Sequence, residues 1–253
     1  MNEIVKMIEE KVVPKYKPAV YISGGLDSTI LLHHLVEKAS GDVYTYTAKF
    51  GLDGDEHDDA QRVADYYKTV HKIVEFNNFI ESLPEVLADF DRPRYNVWVY
   101  FLVREAKRDG RKTGYGADGA DEHFGGFDSK NYLQAWADHI VYVRPIYEIT
   151  HKIFRLDLEF PYGDLDWEKT RKFHESPNKR FLREAYHGII PDFVINKKKT
   201  PPPFADYRKL WDKELKQYFP DYIPKSVEDI KTILQSLSTE AWLKVNNTFR
   251  MGL

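Results

Sequence analysis

The sequence of 253 residues contains no cysteine. That excludes disulfides, thiolate metal ligands, a thiol nucleophile and persulfide-carrying sulfur transfer. No apolar run approaches the ~18–20 residues that a membrane-spanning helix needs. Strong charge of either sign is also missing: 37 Lys and Arg stand against 40 Asp and Glu, a net charge of −3. Such a balance gives no electrostatic footprint for nucleic acid or for an anionic membrane surface, and neither is expected as a partner. The N-terminal stretch MNEIVKMIEEKVV carries charge throughout and reads as an amphipathic helix rather than a signal peptide. A cytoplasmic protein is the expectation. There is no internal repeat, and low complexity is confined to KKKTPPP at 197–203.

What is present is the composition of a globular chain, 42% hydrophobic and 30% charged, long enough to bury a sizeable core. Aromatics reach 15%, at spacings that read as core and rim rather than as a base-stacking platform. Residues 18–23 (PAVYIS) form a β-rich run ending in a glycine pair, and Asp27 to Lys38 follows with Ile30, Leu31, His34 and Leu35 at helical spacing. Residues 42–50 and 70–76 read as further strands, with a helix from His57 to Lys68 between them. Helical patterns cover Phe79 to Phe90 and Tyr95 to Arg108, and a short strand runs over about 112–115. Strands alternating with helices indicate a parallel sheet covered on both faces, with ligands bound beyond the carboxyl ends of the strands. After residue 128 the pattern turns mostly helical, broken by prolines. The expected organisation is therefore an α/β core over 1–127 and a helical annex over 128–253, together one integrated unit.

Two segments carry chemistry. In SGGLDS, Ser23 to Ser28, a strand passes to a helix through two glycines. The helix N-terminus supplies unpaired N–H groups and positive dipole, Gly24 and Gly25 allow close backbone approach, and Ser23 and Ser28 add hydroxyls. Bare phosphate would repel Asp27, so a carboxylate there suggests a bridging Mg²⁺. The lysine and spacing of a Walker A loop are absent. The second segment, GYGADGADEHFGGF at Gly114 to Phe127, is another glycine-rich turn with closely spaced carboxylates. Asp121 can complete a Mg²⁺ site with Asp27, and Asp118 can face a nucleophile that needs deprotonation.

SGGLDS resembles the pyrophosphate-binding motif of the N-type ATP pyrophosphatases. GADGADEHFGGF resembles the segment that asparagine synthetases write as G-[DE]-G-A-D-E-x-F-G-G-[YF]. Further likeness lies in Asp55, Glu56 and His71, and in KRFLREAYHGIIPDFVINKKKTPPPF at 179–204. Asp55 and Glu56 also suit the first turn of a helix, and His71 reads as packed or hydrogen bonded rather than as a ligand. The resemblance implies a five-stranded parallel sheet and an ATP-dependent, AMP-forming amide ligase. It implies ATP held by Ser23, Gly24, Gly25, Leu26, Asp27 and Ser28, adenosine against Ile22, Ala48, Gly116 and Ala117, and Mg²⁺ on Asp27 and Asp121. Aspartate's β-carboxylate would be adenylated and then attacked by ammonia, with Asp118 receiving a proton. Counting from Pro191 places the family's essential lysine on Lys199, with Lys197 and Lys198 as the alternatives.

The sequence departs from that family in three ways. It has no cysteine to serve as the nucleophile of the usual glutaminase domain, so nitrogen is expected from ammonia, another amine or a separate glutaminase. The family's E-x-R-x-P-F-L-D appears as DLEFPYGD, Asp157 to Asp164, with Asp157 for the glutamate and Glu159 for the arginine. Asp157 joins Asp118 and Lys199 as a catalytic candidate, while Glu159 bears against aspartate as the acceptor. Three prolines after Lys199 replace a glycine-containing loop. Relatives that use an internal amine, the β-lactam synthetases and lasso-peptide cyclases, supply a second reading, and a nucleotide-binding subunit without turnover a third.

Overall fold

The computed structural model describes residues 2–52, 55–76, 79–94, 97–126, 132–174, 176–198 and 207–250. Five parallel strands, β1 (Pro18–Tyr21), β2 (Tyr44–Lys49), β3 (Val70–Glu75), β4 (Thr113–Tyr115) and β5 (Asp157–Glu159), form one sheet in the order β3-β2-β1-β4-β5. The central strand β1 is buried along its whole length, as its uninterrupted apolar run requires. The order reverses across it: β2 lies on one side and β4 on the other, and a ligand crevice forms at such a switch point.

Side chains alternate across the sheet and divide the core in two. Ala19, Tyr21 and Tyr46 face a cluster completed by α4 (Phe79–Leu87), α5 (Val99–Arg108), α8 (Arg144–Phe154) and α13 (Val227–Arg250). Val20, Ile22 and Tyr115 face the other, completed by α1 (Glu3–Lys11), α2 (Leu26–Lys38), α3 (His57–Tyr67), α10 (Arg180–Tyr186) and α11 (Asp192–Ile195). The expected parallel sheet with helices on both faces is the observed fold. The four strands and the helices read from periodicity lie within a few residues of their observed positions. The fifth strand comes from the segment beyond residue 127, so the polypeptide past that point completes the sheet as well as supplying helices.

Between β4 and β5 lie α6 (Ala120–Phe124), α7 (Tyr132–Asp138), a π-helical turn (His139–Val143) and α8. The π turn, closed by Arg144 N–H donating to the His139 carbonyl, brings His139 and Val143 to one wall of the central cavity. Such turns inside α-helical runs are frequent at functional sites. Among the described residues no helix is long and apolar enough to cross a membrane.

Candidate active site

The carboxyl ends of β1, β2 and β4 open onto a cavity of about 430 Å³. Of the residues singled out from sequence, Ile22, Ser23, Gly25, Leu26, Asp27, Ser28, Ala48, Gly116, Ala117, Asp118 and Asp121 line it. Gly24 stands behind this surface and shapes it. Its φ of 68° is left-handed, and a Cβ there would fall 2.6 Å from the Ala60 nitrogen of α3. The turn thus bends tightly against α3 and delivers Gly25, in extended conformation, to the N-cap of α2. Ser28 Oγ accepts from Ser23 N–H at 3.3 Å, and Ser23 Oγ accepts from Gly25 N–H at 3.3 Å, so the hydroxyls brace the turn. Thr29 Oγ1 donates to the Gly25 carbonyl at 2.7 Å.

The second glycine-rich turn is built by close contact. A Cβ on Gly116 would meet the Phe160 ring at 2.6 Å, and Gly119, at φ 98°, lies against Gly163 where a Cβ would stand 2.9 Å from its nitrogen. This packing brings Asp118, Asp121 and Glu122 to the cavity, facing α2. Burial pushes the Asp118 carboxyl up to about 6; a hydrogen bond from Tyr147 opposes this and Asp121 adds to it. Glu122 rises to about 7, again chiefly by burial. It lies 3.9 Å from His139 Nδ1, an imidazole that burial pushes down in pKa.

Asp27 and Asp121 converge on one cation, the ammonium of Lys179. Lys179 Nζ pairs with Asp27 Oδ2 and stands 2.6 Å from Asp121 Oδ1. The lysine is 4% exposed. Burial alone would lower its pKa, but the two carboxylates outweigh burial and the value is raised. Lys179 and Asn178 both hold left-handed backbone at φ 54°. For non-glycine residues that costs on the order of 1–3 kcal/mol and is concentrated at functional sites. Arg183, one turn on, also lines the cavity; its Nε donates to the Asn178 carbonyl at 3.0 Å and its Nη1 to that of Ile195. Both residues sit in the K-x-x-L-R string of the sequence, but nothing local marks a lysine that meets carboxylates from two distant turns.

Two aspartate carboxylates on opposing turns, each already engaged with a cation, are the hard-oxygen donor set that Mg²⁺ accepts alongside nucleotide phosphates. They fit that ion. Among the described residues no group of three or more His, Asp and Glu forms a metal cage, so phosphate oxygens would have to complete the shell.

Glu56, read from sequence as a first-turn helix residue, lines the cavity together with Lys197. Lys197 Nζ lies 2.8 Å from Asp59 Oδ2 and 3.6 Å from Glu56 Oε1. Asp55 instead caps the preceding loop, accepting from Gly51 N–H at 2.6 Å. His71 Nδ1 is hydrogen bonded to Thr45 Oγ1 at 2.9 Å. Lys198 also lines the cavity, whereas Lys199 lies outside the described residues.

The structure does not bring Asp157 to this cluster. It pairs in register with Thr113 at the amino end of β4, whereas the cavity lies past Tyr115 at the carboxyl end. Asp157 is exposed and borders a separate depression with Arg144, Glu148 and Lys152.

No curated protein matches the chain by sequence. Solved structures similar to it include the U34-tRNA thiolase of Methanococcus maripaludis, 14% identical over 93% of this chain and 78% of that one, with a TM-score of 0.47. The NMN synthetase of Francisella tularensis is 10% identical over 95% and 93%, at 0.39. The NH3-dependent NAD synthetase of Campylobacter jejuni subsp. jejuni is 15% identical over 88% and 95%, at 0.35. The asparagine synthase family matches residues 4–159, from the first helix to the end of the fifth strand and more than half of the sequence. This chain belongs to the asparagine synthase family.

Proposed function

We propose that this chain activates a carboxylate with ATP and passes the acyl group to an amine, releasing pyrophosphate and AMP. Family membership supports the coarser statement, an ATP-dependent amidating or adenylating enzyme. One observation carries the finer one: the α2 N-terminus, the Asp27–Lys179–Asp121 cluster and the half-buried Asp118 all line a single cavity at the strand tips.

In this reading the triphosphate lies on the Ser23–Ser28 turn, where N–H groups and the helix dipole favour negative charge. Adenosine lies against Ile22, Ala48, Gly116 and Ala117. Mg²⁺ held by Asp27 and Asp121 would supply charge neutralisation to the departing pyrophosphate. Lys179, drawn off the two carboxylates as Mg²⁺ takes them, would donate to phosphate oxygens. The substrate carboxylate attacks the α-phosphorus, the α–β phosphoanhydride bond breaks, and pyrophosphate leaves. The amine then attacks the acyl carbon and the bond to AMP breaks. Asp118, with a pKa near 6, is mostly ionised at neutral pH and accepts the proton that the amine sheds. Lys199, chosen by register, would offset charge on the tetrahedral intermediate.

Aspartate and ammonia, giving asparagine, are the reactants that the family's name implies. The test is release of AMP and pyrophosphate from Mg·ATP, with carboxylates supplied singly, each with and without ammonium. Carboxylate-dependent pyrophosphate release, with amide formed in step once an amine is added, supports the proposal. ATP binding that Asp27→Ala weakens, with no AMP under any condition, would leave a nucleotide-binding subunit without turnover.

A further inference from the structure

One wall of the cavity has no part in the scheme above. With the triphosphate at the α2 N-terminus and adenosine at the strand tips, most of the apolar lining that remains comes from α5 and the residue before it, the π turn and α8. It includes Trp98, Val99, Leu102, Val143, Ile146 and Tyr147. Trp98 is half-buried and meets Phe50 edge-on at 6.3 Å and Tyr147 at 6.4 Å. The ring contacts therefore run unbroken along this side.

Among the described residues, the Lys and Arg side chains lining the cavity are Lys179, Arg183, Lys197 and Lys198, all from residues 179–198. Three of them are engaged, with Asp27 and Asp121, with main-chain carbonyls, and with Asp59. The polar groups brought to the cavity by the α6 turn and the π turn are Asp118, Asp121 and Glu122, all acids, and His139, an imidazole whose burial disfavours its charged form.

We infer that the carboxylate activated here is a monocarboxylate with an apolar body, aliphatic or aromatic, rather than a dicarboxylate such as aspartate. The inference rests on the ATP-dependent activation proposed above. An apolar body removes hydrocarbon from water against Trp98, Leu102, Val143 and Ile146. A second carboxylate in the same place would be stripped of water beside Asp118 and Glu122, and among the described residues no lysine or arginine of α5, the π turn or α8 lines the cavity to pair with it. Reactive and recognition carboxylates thus face different surroundings: the first approaches the phosphate end, where the cations are, and the second would not.

Two measurements on the intact chain separate this inference from the reading beneath it. The first is carboxylate-dependent ATP–pyrophosphate exchange with L-aspartate, succinate, hexanoate and 3-phenylpropionate. The second is calorimetric binding of the same four acids in the presence of Mg²⁺ and α,β-methylene-ATP, which needs no turnover. The expected result is at least a tenfold preference for the two monocarboxylates in both, narrowed or reversed in Val143→Lys. Monocarboxylate binding without exchange would retain the acceptor class and remove the activation chemistry. Exchange or binding led by aspartate or succinate, or no monocarboxylate binding, overturns the inference and leaves any exchange observed to support the activation reading.

Discussion

The ammonium of Lys179 stands 2.6 Å from Asp121 Oδ1 while also pairing with Asp27, so one buried cation joins the two turns expected to hold a metal. Replacing it with methionine leaves two carboxylates facing each other with their shared partner gone. Breaking a buried pair in this way costs about 3–5 kcal/mol. Lys179→Met should therefore lower the melting temperature markedly, and added Mg²⁺ should restore more of the loss than it adds to the parent protein. Because the folded pKa is raised, the lysine's contribution is present below the ordinary value near 10.4 and lost as pH rises through the folded one. The gap between parent and variant should therefore be flat from about pH 7 to 9. A melting temperature unchanged by the substitution would contradict the pairing.

Asp27 bears on ligand binding through its charge, beyond its part in the Lys179 pair. It lies in the first turn of α2, and its main-chain carbonyl accepts from the Tyr162 hydroxyl at 3.0 Å, so the backbone is held independently of the carboxylate. Asp27→Asn keeps the shape and removes the charge. Mg²⁺-dependent ATP affinity should fall about tenfold or more, equivalent to about 1.4 kcal/mol. Affinity measured in EDTA should change much less. Calorimetric titration with and without the ion tests the difference.

The raised pKa of Glu122 makes stability depend on pH in a defined direction. Burial moves its carboxyl from an ordinary value near 4.5 to about 7. Between those values the folded chain binds a proton that the unfolded chain has lost, so this group's contribution to stability falls as pH rises. A shift of this size corresponds to about 3 kcal/mol across the window. Glu122→Gln cannot titrate and should remove that slope, so parent and variant should diverge between pH 4.5 and 7 in urea denaturation. Parallel curves would show that Glu122 titrates normally.

Much of this could be read in the sequence because it is local. Strand, paired glycines, cap and amphipathic helix follow one another within SGGLDS and its flanks, and the chain folds there as written. Ser23 to Ser28 and Asp118 to Asp121 could be assigned to one cavity because both turns follow strands of a parallel sheet. The rest is set by distance. Lys179 meets Asp27 across 152 positions, and the left-handed backbone that aims it has no glycine to announce it. The three-residue strand β5 carries an acid at each end and little apolar pattern, so only pairing with β4 defines it. That same pairing sets Asp157 level with Thr113, away from the cavity, which a motif match alone has no means of showing. His139 reaches Glu122 through a π turn, whose period differs from the 3.6 used to read helices.

The two glycines of the first turn should separate folding from binding. At Gly24 the left-handed backbone alone makes alanine cost about 1–2 kcal/mol. The added Cβ also meets main-chain atoms of Asp59 and Ala60, which cannot rotate aside as a side chain would. Gly24→Ala should therefore lower the melting temperature by several degrees and weaken ATP binding with it, since α3 and the turn must move apart. Gly25 has ordinary extended backbone, and a Cβ there would touch only Ser23 Oγ, at 3.1 Å. Gly25→Ala should fold nearly as well as the parent but place a methyl where a phosphate needs close approach to the α2 N-terminus. Equal losses of stability in the two variants would contradict the close packing of Gly24 on α3, and unimpaired ATP affinity in Gly25→Ala would mean that the nucleotide does not approach the chain through this turn.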